Sequence, residues 1–174
     1  MGFEFTFEVD GEDQVRRSFS RFADAIKDFS PAFKEIAEDF KEIEKRQFDT
    51  EGVYGSGGWR HLSPNYATWK HKYHPGKKIL ELSGLLKESL ESENPYTIKE
   101  IQPQQMKLGT KINYAIYHQR GTLRMPARPV IKLTEADKDR WTKILHQYMV
   151  SESNKAFSGL MPGITAGQKH VGSI

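Results

Sequence analysis

The chain has 174 residues, no cysteine, 37% hydrophobic and 28% charged residues, and a net charge of +3. That composition is ordinary for a globular domain with a real core, excludes disulfide and thiolate chemistry, and contains no apolar run of the roughly 18 residues that a membrane helix needs. The charge is unevenly placed: residues 1–51 hold eight Lys/Arg against fourteen Asp/Glu, whereas residues 52–174 hold eighteen against nine. Such asymmetry suits either nucleic-acid contact or copies of one subunit docking acidic face to basic face.

Phe3, Phe5, Phe7 and Val9 alternate with polar neighbours that include Glu4 and Glu8, so Met1 to Val9 reads as a half-buried strand rather than a targeting sequence. Val15, Phe19, Phe22, Ile26 and Phe29 then recur every three or four residues, predicting a helix over 12–29. The stripe resumes after Ser30-Pro31 with Phe33, Ile36, Phe40, Ile43 and Phe48, giving a second helix or one long helix kinked at Pro31. Its paired carboxylates, such as Glu42 and Glu44, read as a solvated face.

Residues 49–79 change character. Gly52, Gly55, Gly57, Gly58 and Pro75-Gly76 interrupt regular structure, and only Ser63-Pro64 opens a short helix, so the stretch reads as an extended loop insertion. Ile79, Leu82, Leu86 and Leu90 mark a helix around 79–92. Strands follow at 96–101 and 105–110, then a short helix from Asn113 that stops at Gly121. A last strand is expected at 129–133. Thr134 with Asp137 resembles a capping box and starts a helix over 134–150, with Trp141, Ile144, Leu145 and Tyr148 inward. The expected organisation is one domain over 1–151 and an arm over 152–174. The fold class is α+β: a small, mainly antiparallel sheet packed against N-terminal and C-terminal helices.

Catalytic chemistry is hard to assemble. His71 and His74 have an H-x-x-H spacing with His61 upstream, but Pro75 disfavours a helical face there and no carboxylate completes a zinc shell; solvated loop histidines are the simpler reading. Ser56, Ser63 and Ser83 lie in Gly/Pro contexts without a G-x-S-x-G elbow. Gly55-Ser56-Gly57-Gly58 is not followed by Gly-Lys-Ser/Thr, so it is no phosphate loop. His118 could serve as a base, although a helix-terminal histidine satisfied by hydrogen bonds is the plainer account. The sequence therefore points away from an enzyme and implies no cofactor or metal. The mixture from Trp59 to Tyr73 suits base stacking or protein contact, which leaves a nucleic-acid-binding module using the basic 52–174 region as the alternative function.

Six motifs stand in order: Gly57-Gly58-Trp59, Leu62 to Lys70 (Leu-Ser-Pro-x-Tyr-Ala-x-Trp-Lys), Pro75 to Leu80, Leu82 to Leu90 (Leu-Ser-Gly-Leu-Leu-x-x-Ser-Leu), Tyr114 to Thr122 and Pro126 to Pro129. In that order they resemble the phage virion morphogenesis proteins, the tail completion or neck proteins of tailed phages and Mu-like prophages. The resemblance implies a non-enzymatic, ring-forming protein of the head–tail junction, present in the virion and assembled in the host cytoplasm without a membrane. Its implied partners are further copies of itself, six by the common symmetry of tails, other neck, head-completion, tail-terminator or tail-tube proteins, and genomic DNA near the lumen. Trp59, Tyr66, Trp69, Tyr114 and His118 are then interface candidates. Arg120, Arg124 and Arg128 are basic docking candidates on a loop stiffened by Pro126 and Pro129, with Glu38, Glu42 and Glu44 as their acidic counterparts. Arg128 is expected to grip a carboxylate, within the domain or on the next subunit.

Overall fold

The computed structural model describes residues 12–158. Its elements run α1 (Glu12–Ala25), α2 (Ser30–Asp49), α3 (Val53–Ser56), α4 (Pro64–Tyr73), α5 (Leu85–Glu91), β1 (Thr97–Gln102), β2 (Gln105–Thr110), α6 (Ala115–Arg120) and α7 (Glu135–Phe157). The fold is α+β, with one antiparallel hairpin whose register runs from Thr97 opposite Thr110 to Gln102 opposite Gln105.

The centre is α2, which packs against α5, α7 and both strands. Its apolar stripe explains this, because Ile36, Phe40, Ile43 and Phe48 fall on one side of a 3.6-residue helix and all are buried. One core cluster joins Phe40, Phe48, Trp59, Leu86, Leu90, Ile112 and Val130. A second joins Ala32 and Ile36 to Ile144 of α7. The chain between α1 and α2 breaks at Lys27 and Asp28, so the Pro31 region separates two helices; Phe29 N–H donates to Pro103 O of the hairpin turn at 2.7 Å. The helix α1 pairs with α7 alone at any extent. Phe19 and Phe22 meet Phe157 with ring centroids 5.0 and 6.2 Å apart, yet Phe19 stays 59% exposed.

Thr134 and Asp137 form the capping box that opens α7. That helix continues past residue 150 to Phe157, so the first residues of the stretch read as an arm are helical. The expected strand at 3–9 lies outside the described residues. The expected strand at 129–133 does not form. Instead the Gln119 side chain serves the backbone of this segment: its Oε1 accepts from Val130 N–H (2.8 Å) and Ile131 N–H (3.0 Å), and its Nε2 donates to Ile131 O at 2.8 Å. Pro129 has no N–H to offer a ladder. Buried backbone groups need partners, and one side-chain amide supplies three bonds where a neighbouring strand was expected.

The 49–79 stretch is more ordered than a loop. It carries α3 and α4, and Gly52 makes its fold possible. Gly52 has φ +83°, and a Cβ there would sit 2.4 Å from Trp59 Cδ1. The helix expected around 79–92 is shorter, because Ile79 N–H donates to Glu51 Oε1 at 2.6 Å, leaving α5 to begin at Leu85.

Candidate functional site

Beside the C-terminal end of α2, the segment between α3 and α4, α4, the start of α5, α6 and the 121–128 loop enclose a groove with a cavity of about 480 Å³. Its apolar walls include Leu62, Leu80, Leu82, Leu86, Met125 and Pro126, and its polar groups include Tyr66, Lys70, Tyr114, His118, Arg124 and Arg128. The 121–128 loop folds tightly because Gly121 takes φ +75°; a Cβ there would lie 2.7 Å from Ala127 N. Thr122 and Met125 close the loop as an isolated bridge, and Arg128 N–H returns to His118 O at 2.7 Å.

Arg128 is 5% exposed. Its Nε donates to Arg60 O at 2.7 Å and its Nη2 to His61 O at 3.0 Å, so it grips backbone carbonyls where a carboxylate was expected. Burial holds its guanidinium somewhat below the ordinary range. Lys70, 4% exposed, donates to Lys78 O, and burial lowers its affinity for the proton. Arg124 is exposed on the rim. Among the described residues none of these three cations forms an ion pair. His118 Nδ1 is buried without a hydrogen-bond partner. Burial first, then the charge of Arg128, favours its neutral imidazole, and Tyr114 meets that ring edge-on with centroids 6.0 Å apart. The groove is thus positive, partly desolvated, and lined by rings and leucines. It has the size and lining of a binding site.

The structure brings together Tyr66, Tyr114, His118, Arg124 and Arg128 among the sequence candidates. The others go elsewhere. Trp59 is core: it is 5% exposed, donates from Nε1 to Pro129 O at 2.8 Å and packs on Phe48 with centroids 5.4 Å apart. Trp69 stands on the outer face of α4, stacked on Tyr66 at 5.5 Å and beside Tyr73 at 5.8 Å. Arg120 is exposed at the end of α6. Glu38 and Glu42 line a separate, wide cleft of about 1090 Å³ between α2, α5 and α7. There Glu38 pairs with Lys41 at 3.0 Å and Lys99 at 3.1 Å, which hold its carboxyl below the usual range.

Glu44 corrects the sequence reading outright. It is fully buried, not on a solvated face, and neither carboxylate oxygen has a hydrogen-bond partner. The helical stripe explains it, since Glu44 follows Ile43 and lies four residues from both Phe40 and Phe48. Burial, aided by the charge of Glu91, pushes its carboxyl up to about 8.

Sequence reasoning missed Leu80, Leu82, Leu86 and Met125 as walls of one site, and Gln119 as the partner of the backbone at Val130 and Ile131. The signal was present in the ordered motifs, because five of the six contribute to the groove. No group of three His, Asp or Glu suited to a metal ion occurs among the described residues, and His74 faces Trp69 with ring centroids 5.2 Å apart.

No curated protein and no solved structure matches the chain. The model of the phage virion morphogenesis family matches residues 10–150, which takes in every groove residue and the core beneath it. Family membership carries a structural and assembly role in the phage particle. The chain belongs to the phage virion morphogenesis family.

Proposed function

We propose that this protein is a structural component of the head–tail junction, assembling as a ring, six copies by the usual symmetry of tails, that joins the tail to the head. One observation supports the reading above the others. The groove gathers Tyr66, Tyr114 and several leucines beneath Arg124, an exposed cation on its rim with no ion-pair partner among the described residues. Such a surface is built to receive a protein segment that is both apolar and acidic. Aromatic residues and arginine are the residue types enriched where proteins meet.

The alternative, nucleic-acid binding, fits the groove less well. Lys70 and Arg128 turn inward to backbone carbonyls, whereas phosphate tracking calls for cations presented outward along a surface. Mass measurement and low-resolution imaging of the purified protein, with and without tail tubes, test the proposal. A ring seated at one end of the tube is the expected result. Decoration along the tube length, or no association with tubes, contradicts it.

A further inference from the structure

The groove and one segment of the same sequence are complementary. Phe3, Phe5, Phe7 and Val9 alternate with Glu4, Thr6, Glu8 and Asp10, so an extended chain there presents phenyl rings on one side and carboxylates on the other. The groove offers an apolar floor, two nearly buried cations that donate to backbone carbonyls, and Arg124 on its rim. Phenyl faces can lie against Arg128 and Lys70 as cation–π contacts, while Glu4 or Glu8 reaches Arg124. A cavity of about 480 Å³ admits the side chains of an extended segment; a helix, some 10 Å across, is too thick for it.

The donor must be another copy. The groove adjoins the C-terminal end of α2, where Gln47 Nε2 and Trp59 Nε1 both donate to Pro129 O, and the start of α7, where Tyr54 OH donates to Asp137 at 2.6 Å. The helix α1 lies at the opposite end of α7 and runs antiparallel to it: Tyr148 OH donates to Asp28 O, and Phe19 and Phe22 meet Phe157. The 23 residues of α7 span about 34 Å at 1.5 Å per residue, and Glu12 lies roughly 10 Å farther on by the same rise. An extended stretch of eight residues covers only about 26–29 Å. We infer that the groove receives residues Phe3–Asp10 of a neighbouring copy, carried outward on α1, an inference that rests on the ring assembly proposed above.

Because the chain has no cysteine, introduced thiols report this contact directly. The variant F7C/R124C should yield disulfide-linked dimers and higher oligomers under mild oxidation, and F7C or R124C alone should not yield the higher oligomers. In the cysteine pair F7C/L82C, which keeps Arg124, the charge reversal E8K should lower the yield by up to about fivefold at low salt, the upper end for an exposed pair. Adding R124E to that variant should restore part of it. Several outcomes overturn the inference. One is a disulfide within a single chain. Another is a cross-link from F7C to a thiol at I116C, which lines a separate trough with Ile98, Leu108 and Val130 beside β2, in place of the groove. A third is a ring by mass and imaging with no groove cross-link, in which case the ring assembly stands and the occupant is another protein. A chain that neither rings nor cross-links, alone or with tail tubes, overturns both.

Discussion

Glu44 is the residue whose chemistry departs furthest from what its surroundings ordinarily allow. A buried carboxylate with no hydrogen bond is costly when charged, and the fold answers by keeping the proton, at a value near 8. The folded state therefore binds this proton more tightly than the unfolded chain, whose glutamate titrates near 4.5. Stability is unaffected by Glu44 below the unfolded value, falls as pH rises between about 4.5 and 8, and levels off above, at most by about 1.4 kcal/mol per pH unit. Glu44→Gln removes this slope, so its thermal midpoint should gain on the parent protein steadily from pH 5 to pH 8; equal slopes for the two proteins would show that Glu44 is not the titrating group. Arg128 has the opposite character, a buried cation satisfied by Arg60 O and His61 O. Arg128→Met should cost about 1.5–3 kcal/mol in urea unfolding, the worth of hydrogen bonds to a charged group. A loss well below that would mean the two carbonyls find other donors.

Among elements, the segment 129–133 shows what a sequence hides. Its Val130, Ile131 and Leu133 have strand composition, and that composition says nothing about where the backbone bonds will go. The answer lay eleven or twelve residues upstream in Gln119, a polar residue that periodicity does not weigh. Gln119→Leu should strip three bonds from this segment, cost on the order of 2–3 kcal/mol through unsatisfied buried groups, and speed amide exchange at Val130 and Ile131 while leaving that of β1 and β2 unchanged. Slow exchange at those two amides in the variant would show that another acceptor serves them. Elements with local signals were legible. The stripe of α2, the hairpin with its two-residue turn, and the Thr134–Asp137 cap each follow from residues within a few positions of one another. The groove was only half legible, since Tyr66, Tyr114, His118, Arg124 and Arg128 stood out by type, while its leucine walls come from separate segments that only the tertiary fold assembles. Glu44 was misread for the reverse reason: one polar letter on an apolar stripe was taken for the outer face.

At the scale of the whole molecule, the unequal charge of the two parts of the chain takes a specific form. Of the three loop arginines, Arg128 belongs to the interior and only Arg120 and Arg124 face outward. On the acidic side Glu44 is interior, Glu38 is already paired, and Glu42 remains an exposed carboxylate. Reversing Arg120 and Arg124 together to Glu should leave unfolding within about 0.5 kcal/mol, as for surface changes generally. It should nonetheless slow ring formation, most at low salt, where repulsion is least screened. Normal assembly of this variant at low salt would rule out steering by these two charges.

The contact between Asp39 and the far side of the chain also sets an order in time. Asp39 accepts from Arg140 Nε at 2.9 Å and from Trp141 Nε1 at 2.6 Å, joining positions 101 and 102 residues apart. At a ribosomal pace of about 5–20 residues per second, α7 emerges roughly 5–20 s after α2. Throughout that interval Ala32 and Ile36 lack the cover that Ile144 later provides. The outer face of the same helix, with Lys34, Glu35, Glu42 and Lys45 exposed, stays in water throughout. The subunit's second core cluster is therefore completed only when the last helix closes over it.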